Sequence, residues 1–322
     1  MTSQDVDAVI LSYRTAKLAV DAARSAHANR VGSIVVVDNH SGDDSVAILR
    51  AAVGDFADIL ELPGNHGFPA GNNAGARVGN RQLILFMNSD ARLHDGAVAT
   101  MVRAFMQDAK IGAVAPSLQY PNGQPQASAY FFITPKRLVS SVFGIHRLAK
   151  RIGSSFLAGN VDFKRNGTYS GEVESLYGPC ILVRRTAFEK IGGFDEAFFL
   201  YCEETDFFLR LAKSGYRAFR VAAAQATHNH GESAKQSPIA SSVLMQEGRR
   251  IYAKKHFGRL GRLVTALASV GGIVLRLLLS RSAHERRRHL ATLGVWLGWT
   301  PTADPRKCRP LQMEARNEPV TR

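Results

Sequence analysis

Two short runs of branched apolar residues, Val6 to Leu11 and Ser33 to Val37, stand on either side of a segment with helical spacing. Each run is too continuously apolar for a strand with one wet face, so both read as strands buried on both faces. Between them, Ala16, Leu18, Ala19, Ala22, Ala23 and Ala26 fall near one helical stripe over Thr15 to Ala28. Strand, helix, strand in this order commits the chain to an α/β sheet. The pattern then continues. Ser41 is placed to cap a helix starting near Asp43. A strand over Ala57 to Leu62, a Gly/Asn-rich turn into a helix over Ala70 to Val78, and a strand over Leu83 to Met87 follow. The alternation predicts a doubly wound sheet, and 322 residues at 45 % hydrophobic can bury one large core or one core with a smaller appendage.

Ligands of such sheets lie beyond the carboxyl ends of the strands, so Asp38, Asn39 and the turn Asn88-Ser89-Asp90 are expected along one rim. A helix over Asp95 to Gln107, a strand over Gly112 to Leu118 and a turn at Pro121-Asn122-Gly123 come next. Ser128 to Gly171 has no clean period and reads as an insertion or acceptor-side loop. Order returns with a strand and helix over Tyr177 to Arg185, then Gly192-Gly193-Phe194-Asp195, a helix from Glu203 to Lys213 stopped by Gly215, and a strand around Ala218 to Ala223. Beyond Gln246 the chain is basic and helical, which divides it into a catalytic region, 1–245, and a C-terminal region, 246–322.

Asp38 ends a strand, where a carboxylate can accept from a ribose hydroxyl or a base N–H; the alternative is a turn or cap. A nicotinamide dehydrogenase would also carry an acid there, but its first turn must be glycine-rich, and here it reads Ser12-Tyr13-Arg14-Thr15. Asn88 and Asp90, two residues apart past a strand end, can share a divalent cation with diphosphate oxygens. Glu203, Glu204 and Asp206 crowd the first turn of a helix, where the dipole favours anions; one of them is the expected base for an acceptor hydroxyl. His228 and His230, beside Gly231-Glu232-Ser233, could add a cation ligand.

From Val6 to Ser233 the ordered blocks Val37-Asp38-Asn39-His40-Ser41, Gly64 to Asn73, Asn88-Ser89-Asp90, Gly178-Pro179-Cys180, Gly192 to Asp195 and Glu203-Glu204-Thr205-Asp206 resemble the inverting family 2 glycosyltransferases, especially their bacterial rhamnosyltransferase-like branch. The resemblance implies a GT-A-type doubly wound mixed sheet flanked by helices, with a basic helical C-terminal appendage. It implies a nucleotide-diphosphate sugar held by Asp38, Asn39 and the loop carrying Gly67, Asn72 and Asn73, and Mg²⁺ or Mn²⁺ at Asp90, with Asn88 and His228 beside it. The family's base is the Asp of a Glu-Asp pair and aligns with Glu204; Glu is one methylene longer, so the role could slide to Glu203 or Asp206. Asn88 also stands where the metal motif has its first Asp, which predicts looser metal affinity. The favoured donor is dTDP-rhamnose, for cell wall polysaccharide or O-antigen synthesis on a glycan or lipid-linked acceptor. UDP-galactofuranose or UDP-N-acetylglucosamine is the alternative donor.

The charge is lopsided. Residues 249 to 322 hold sixteen Lys and Arg against four acids, and so carry +12 of the chain's net +14. A nucleic-acid-binding module would need aromatic residues interleaved with that charge, and the tail offers only Trp296 and Trp299. Leu263 to Leu275 reads as about half of a bilayer span, broken by Gly271-Gly272, and is expected to lie on an anionic membrane surface rather than cross it. Cys180, Cys202 and Cys308 show no CxxC spacing, and the N-terminus has no basic and apolar leader pattern. The expected location is cytoplasmic, peripheral on the inner face of a bacterial plasma membrane.

Overall fold

The computed structural model describes residues 1–147, 159–229 and 238–299. Strands β1 (Val6–Ser12), β2 (Ser33–Asp38), β3 (Asp58–Glu61) and β4 (Leu83–Asn88) are mutually parallel, in the order β3-β2-β1-β4. Helices α1 (Ala16–Ala28), α2 (Ser45–Val53) and α3 (Gly67–Val78) make the crossovers. Val6, Ala8, Ile10, Val36 and Leu85 face one core layer with α1 and α2, while Val9, Val35, Val37, Ile84 and Phe86 face the other. The continuous apolar runs of the sequence follow from this two-sided burial.

The second half makes the sheet mixed. Beyond the short β5 (Ala91–Leu93), helix α4 (Ala97–Gln107) and β6 (Ile111–Gln119), come β7 (Pro125–Gln126), β8 (Ala129–Tyr130) and helix α5 (Pro135–Val142). They are followed by β9 (Gly171–Val173), β10 (Ser175–Leu176), β11 (Cys180–Arg184), the helices α6 (Arg185–Lys190) and α7 (Glu203–Lys213), and β12 (Arg217–His228). The main path runs β3-β2-β1-β4-β11-β6-β12-β5. β11 is antiparallel to both β4 and β6, so it enters the sheet from the opposite end.

Several local expectations change. Ser41 caps no helix, because its N–H and O–H are given to Asp38, and α2 starts at Ser45. The Gly/Asn-rich turn is the start of α3, where Gly67 at φ +86° lets the chain press on Phe199; a Cβ there would stand 2.3 Å from the Phe199 carbonyl. The strand expected at Ala218 to Ala223 extends to His228. The irregular Ser128 to Gly171 region, in its described part, is pinned by the fully buried Arg220. Its guanidinium donates to Ser128 Oγ (2.8 Å), Ser117 Oγ (2.6 Å) and the Gly167 (2.7 Å) and Tyr169 carbonyls.

The C-terminal helices are α8 (Pro238–His256), α9 (Arg259–Leu279) and α10 (Ala283–Leu297). The expected division at 245/246 falls inside α8, whose Met245, Ile251 and Tyr252 join Leu138, Phe198 and Cys202 in one apolar cluster. α9 corrects the half-span expectation: its 21 residues are long and apolar enough to cross a membrane by length and composition. Gly271-Gly272 does not break it. A Cβ on Gly272 would meet Val142 Cγ1 at 2.1 Å, so the glycine is the contact point for α5. Thr265, Ala268, Ser269, Gly272 and Ile273 form the buried stripe, and Leu260, Leu263, Leu267 and Leu278 stand exposed.

Candidate active site

The ends of β1, β2 and β4 open a crevice. Leu11, Tyr13, Asn39, Asn65, Gly67, Phe68, Asn88, Ser89 and Asp90 line a cavity of about 200 Å³ closed by Tyr177, Phe199 to Tyr201 and His228. Hydroxyls lock its rim: Thr15 Oγ1 lies 2.8 Å from Ser89 Oγ and 3.3 Å from Ser12 Oγ, and the Arg14 N–H donates to Ser41 Oγ at 2.8 Å. Arg14, His40, Tyr201 and Cys202 all hold positive φ, between 56° and 72°, without being glycine. Strained backbone of this kind persists only where surrounding structure enforces it, and here it clusters at the loops around one cavity. A second cavity of about 610 Å³ shares Ser89 and Asp90 but is otherwise lined by residues such as Leu18, Asp21, His94 and Gln119.

Asp90 and His228 come together because β5 pairs with the end of β12, with Ala91 opposite His228. His228 Nε2 stands 3.3 Å from Asp90 Oδ1, and its Nδ1 is 2.9 Å from Gln126 Oε1. Gln126 thus fixes the ring from its Nδ1 side and leaves Nε2 facing a carboxylate oxygen. A shared cation completes such an arrangement, and neighbouring ligands of an octahedral ion stand about 3 Å apart. Asn88 Oδ1 is buried without a hydrogen-bond partner at the same strand end. Among the described residues no three His, Cys, Asp or Glu side chains gather at one point. This donor set therefore fits a hard divalent ion only if substrate oxygens or water fill most of its positions. His230 lies outside the described residues.

The strained Tyr201-Cys202 turn delivers the N-terminus of α7. Glu203 is 4 % exposed and Glu204 is partly exposed. Burial pushes both carboxyls above the usual range, Glu203 well above it because it also faces Glu204, and a hydrogen bond joins the two. Glu204 lies under Gly178, where a Cβ would stand 3.5 Å from its Oε1. Tyr177, on the cavity wall, has its hydroxyl pushed far up by burial, and then by Glu204, Tyr130 and Asp90. Tyr177 thus feels both the acid of the cation pair and the acid of the helix.

Other expected site residues are used differently. Asp38 is buried and absent from the cavity lining; its carboxylate accepts the N–H (2.9 Å) and O–H of Ser41, which is the turn-building alternative. Asn73 faces away from the cavity, where its amide bonds the Phe194 N–H (3.0 Å), the Phe194 carbonyl (2.9 Å) and Glu196 (2.8 Å). Asn72 donates to the Phe68 carbonyl one turn back. Asp206 is fully buried against Arg210 Nε (2.7 Å), Lys255 Nζ (2.8 Å) and His256 Nε2 (2.6 Å), so it ties α7 to α8 and has no free face for a proton. Tyr13, Asn65, Gln126 and Tyr177 were not foreseen. Tyr13 had a sequence signal in its place in the first turn after β1, and Asn65 in its place inside the block from Gly64 to Asn73.

A model of the family "Glycosyl transferase family 2" matches residues 9–192, and one described as "N-terminal domain of galactosyltransferase" matches 163–232. The chain is 27 % identical over 247 residues to an N-acetylglucosaminyl-diphospho-decaprenol L-rhamnosyltransferase of Mycobacterium tuberculosis, covering 70 % of this chain and 76 % of that protein. It is 23 % identical over 260 residues to the low-salt glycan biosynthesis hexosyltransferase Agl10 of Haloferax volcanii, covering 78 % of each. A mannosyltransferase from Pyrobaculum calidifontis, solved with GDP-Man and Mn²⁺, superposes with a TM-score of 0.55 at 13 % identity, over 91 % of this chain and 84 % of that one.

Proposed function

Because this chain belongs to glycosyl transferase family 2, we propose that its cavity holds a nucleotide-diphosphate sugar and that the sugar moves, with inversion, to a hydroxyl of a lipid-linked or glycan acceptor. dTDP-rhamnose is the favoured donor, and the mycobacterial relative is named as an L-rhamnosyltransferase, which supports the sugar. Asn39, Gly67 and their loop neighbours would contact the nucleotide, with Asp38 fixing the turn that presents Asn39. The observation that carries the reading is Asp90 facing His228 in the lining of a cavity whose wall residue Tyr177 is followed by Gly178, the residue seated next to Glu204.

Glu204 takes the proton of the acceptor hydroxyl as that oxygen bonds to the anomeric carbon, while the bond from that carbon to the diphosphate oxygen breaks on the opposite face. Glu203, joined to Glu204 by a hydrogen bond, holds it in place. Asp90, His228 and the amide oxygen of Asn88 are the residues that would hold Mg²⁺ or Mn²⁺, which when bound neutralises charge on the departing diphosphate. Tyr177 and the Phe199 to Tyr201 loop exclude water from the reacting centre.

The exposed stripe of α9, with Phe143 and Ile145 beside it and Arg259, Arg262, Arg281 and Arg286 to Arg288 around it, is suited to lie on an anionic bilayer at the cytoplasmic face. Nucleotide-diphosphate release should be measured across a panel of nucleotide sugars, with and without EDTA. Release from a dTDP-sugar that EDTA stops supports donor and metal together, and turnover of none of them refutes the reading. Asp90→Ala should abolish release.

A further inference from the structure

A glycine in the middle of a helix weakens it, so Gly248 of α8 needs a reason. A Cβ there would stand 2.3 Å from the Tyr201 carbonyl oxygen and 3.4 Å from Cys202 Cβ, so only glycine lets α8 lie this close to the turn. Tyr201 and Cys202 are consecutive residues at φ +72° and +68°, a conformation that residues other than glycine keep only where their surroundings impose it. A second glycine, Gly67, presses on the same loop at Phe199, and Phe68 donates its N–H to the Phe199 carbonyl at 2.8 Å. Helix α8 also grips the segment on either side of the turn. Lys255 Nζ reaches Asp195 (2.5 Å) before it and Asp206 (2.8 Å) after it, and His256 Nε2 stands 2.6 Å from Asp206. Between those grips lie the loop that closes the cavity and the two glutamates that open α7.

We propose that Gly248 is a positioning residue: by seating the Tyr201-Cys202 turn it sets where Glu204 stands at the start of α7. The inference rests on the reading of Glu204 as the base. Cys202 is the N-cap of α7, so a displaced Tyr201 carbonyl carries Glu203 and Glu204 with it. The atom in the way is backbone, which cannot rotate aside as the tip of a side chain would. Such contacts do not fall below 3.0 Å, so a methyl at position 248 forces turn and helix apart by about 0.7 Å. Misplacing a reacting group by about 1 Å can cost as much as about 10²-fold in rate. In an isolated helix the same change would be favourable, so the two effects have opposite signs. The C-terminal region thus supplies geometry to the reaction, although the glycine that does so lies more than forty residues beyond the glutamate it positions.

Gly248→Ala should lower kcat for sugar transfer about tenfold to a hundredfold. The control is Gly271→Ala on α9, where a Cβ would meet only Phe143 Cζ at 3.6 Å; kcat should not move. A double-mutant cycle with Glu204→Gln separates positioning from general damage. If the glycine acts through Glu204, adding Gly248→Ala to Glu204→Gln costs little more. Losses that multiply show that the glycine acts on something else and overturn the proposal, as does full kcat in Gly248→Ala. Thermal unfolding followed by circular dichroism shows whether that variant folds. Should it not fold, Lys255→Gln decides, because it loosens the same grip at a surface side chain. It should lower kcat by a smaller factor, again without adding to Glu204→Gln, and an unmoved kcat or a multiplied loss overturns the proposal. Wild-type activity in Glu204→Gln alone removes the base reading itself, which tells the two failures apart.

Discussion

Glu203 and Glu204 are consecutive in the chain, yet the fold makes them chemically unequal. Burial raises both carboxyls, and Glu203 well above the usual range because it lies deeper and also faces Glu204; Glu204 is the base in the proposed reaction. Glu204→Gln should cut kcat by about 10²- to 10⁴-fold, with donor binding retained. Because the Glu204 carboxyl is raised and must be ionised to act, activity should fall as pH drops through a limb lying above the ordinary carboxylate range; a pH profile of kcat checks this. Asn88 is a second decision made by one residue. Its buried amide oxygen is neutral, so Asn88→Asp should add charge to the cation pair and lower the metal concentration giving half-maximal rate. Titration of Mn²⁺ against turnover measures it, and an unchanged midpoint would place the metal elsewhere.

At the scale of elements, α7 is held by its own acids as much as it presents them. Asp206 joins Arg210 on α7 to Lys255 and His256 on α8, and Lys255 also reaches Asp195 at 2.5 Å. Asp206→Ala would remove the buried carboxylate shared by Arg210, Lys255 and His256 and should cost about 1–3 kcal/mol in urea unfolding. A variant that keeps its stability but loses turnover would return Asp206 to a chemical role. The acidic first turn in the sequence was thus legible as a cluster, but not its division of labour, which depends on a helix fifty residues downstream. Likewise the blocks at Gly67 to Asn73 and Gly192 to Asp195 stood out in the sequence as one ligand loop and an unassigned turn. The fold joins them through Asn73 and Phe194, so part of that signal is packing rather than ligand binding.

For the whole molecule, the C-terminal helices pack on the first 245 residues: α8 carries Tyr252 into the cluster with Phe198 and Cys202, and α9 sets Gly272 against Val142 of α5. Leu263→Glu with Leu267→Glu should release the protein from phosphatidylglycerol vesicles in co-sedimentation while turnover of a soluble acceptor persists, because these side chains contact solvent rather than core. Retained vesicle binding would move the membrane contact to another face. The basic tail's charge was plain in the sequence; the length of α9 was not, because Gly271-Gly272 looks like a break until Val142 is seen seated against it.

The sequence by itself determined β1, β2 and β4, and therefore the rim where Asn39, Asn88 and Asp90 stand, because buried parallel strands are local runs of branched apolar residues with polar ends. The tertiary structure alone decided which polar residues meet. Non-local pairing sets β11 antiparallel beside β4, seats Gly178 over Glu204 and puts Tyr177 in the cavity that Asp90 lines; β12 brings His228 to Asp90 from more than a hundred residues away. No period in the chain encodes those meetings, because they follow from strand order and the strain of a single turn, not from the spacing of neighbours.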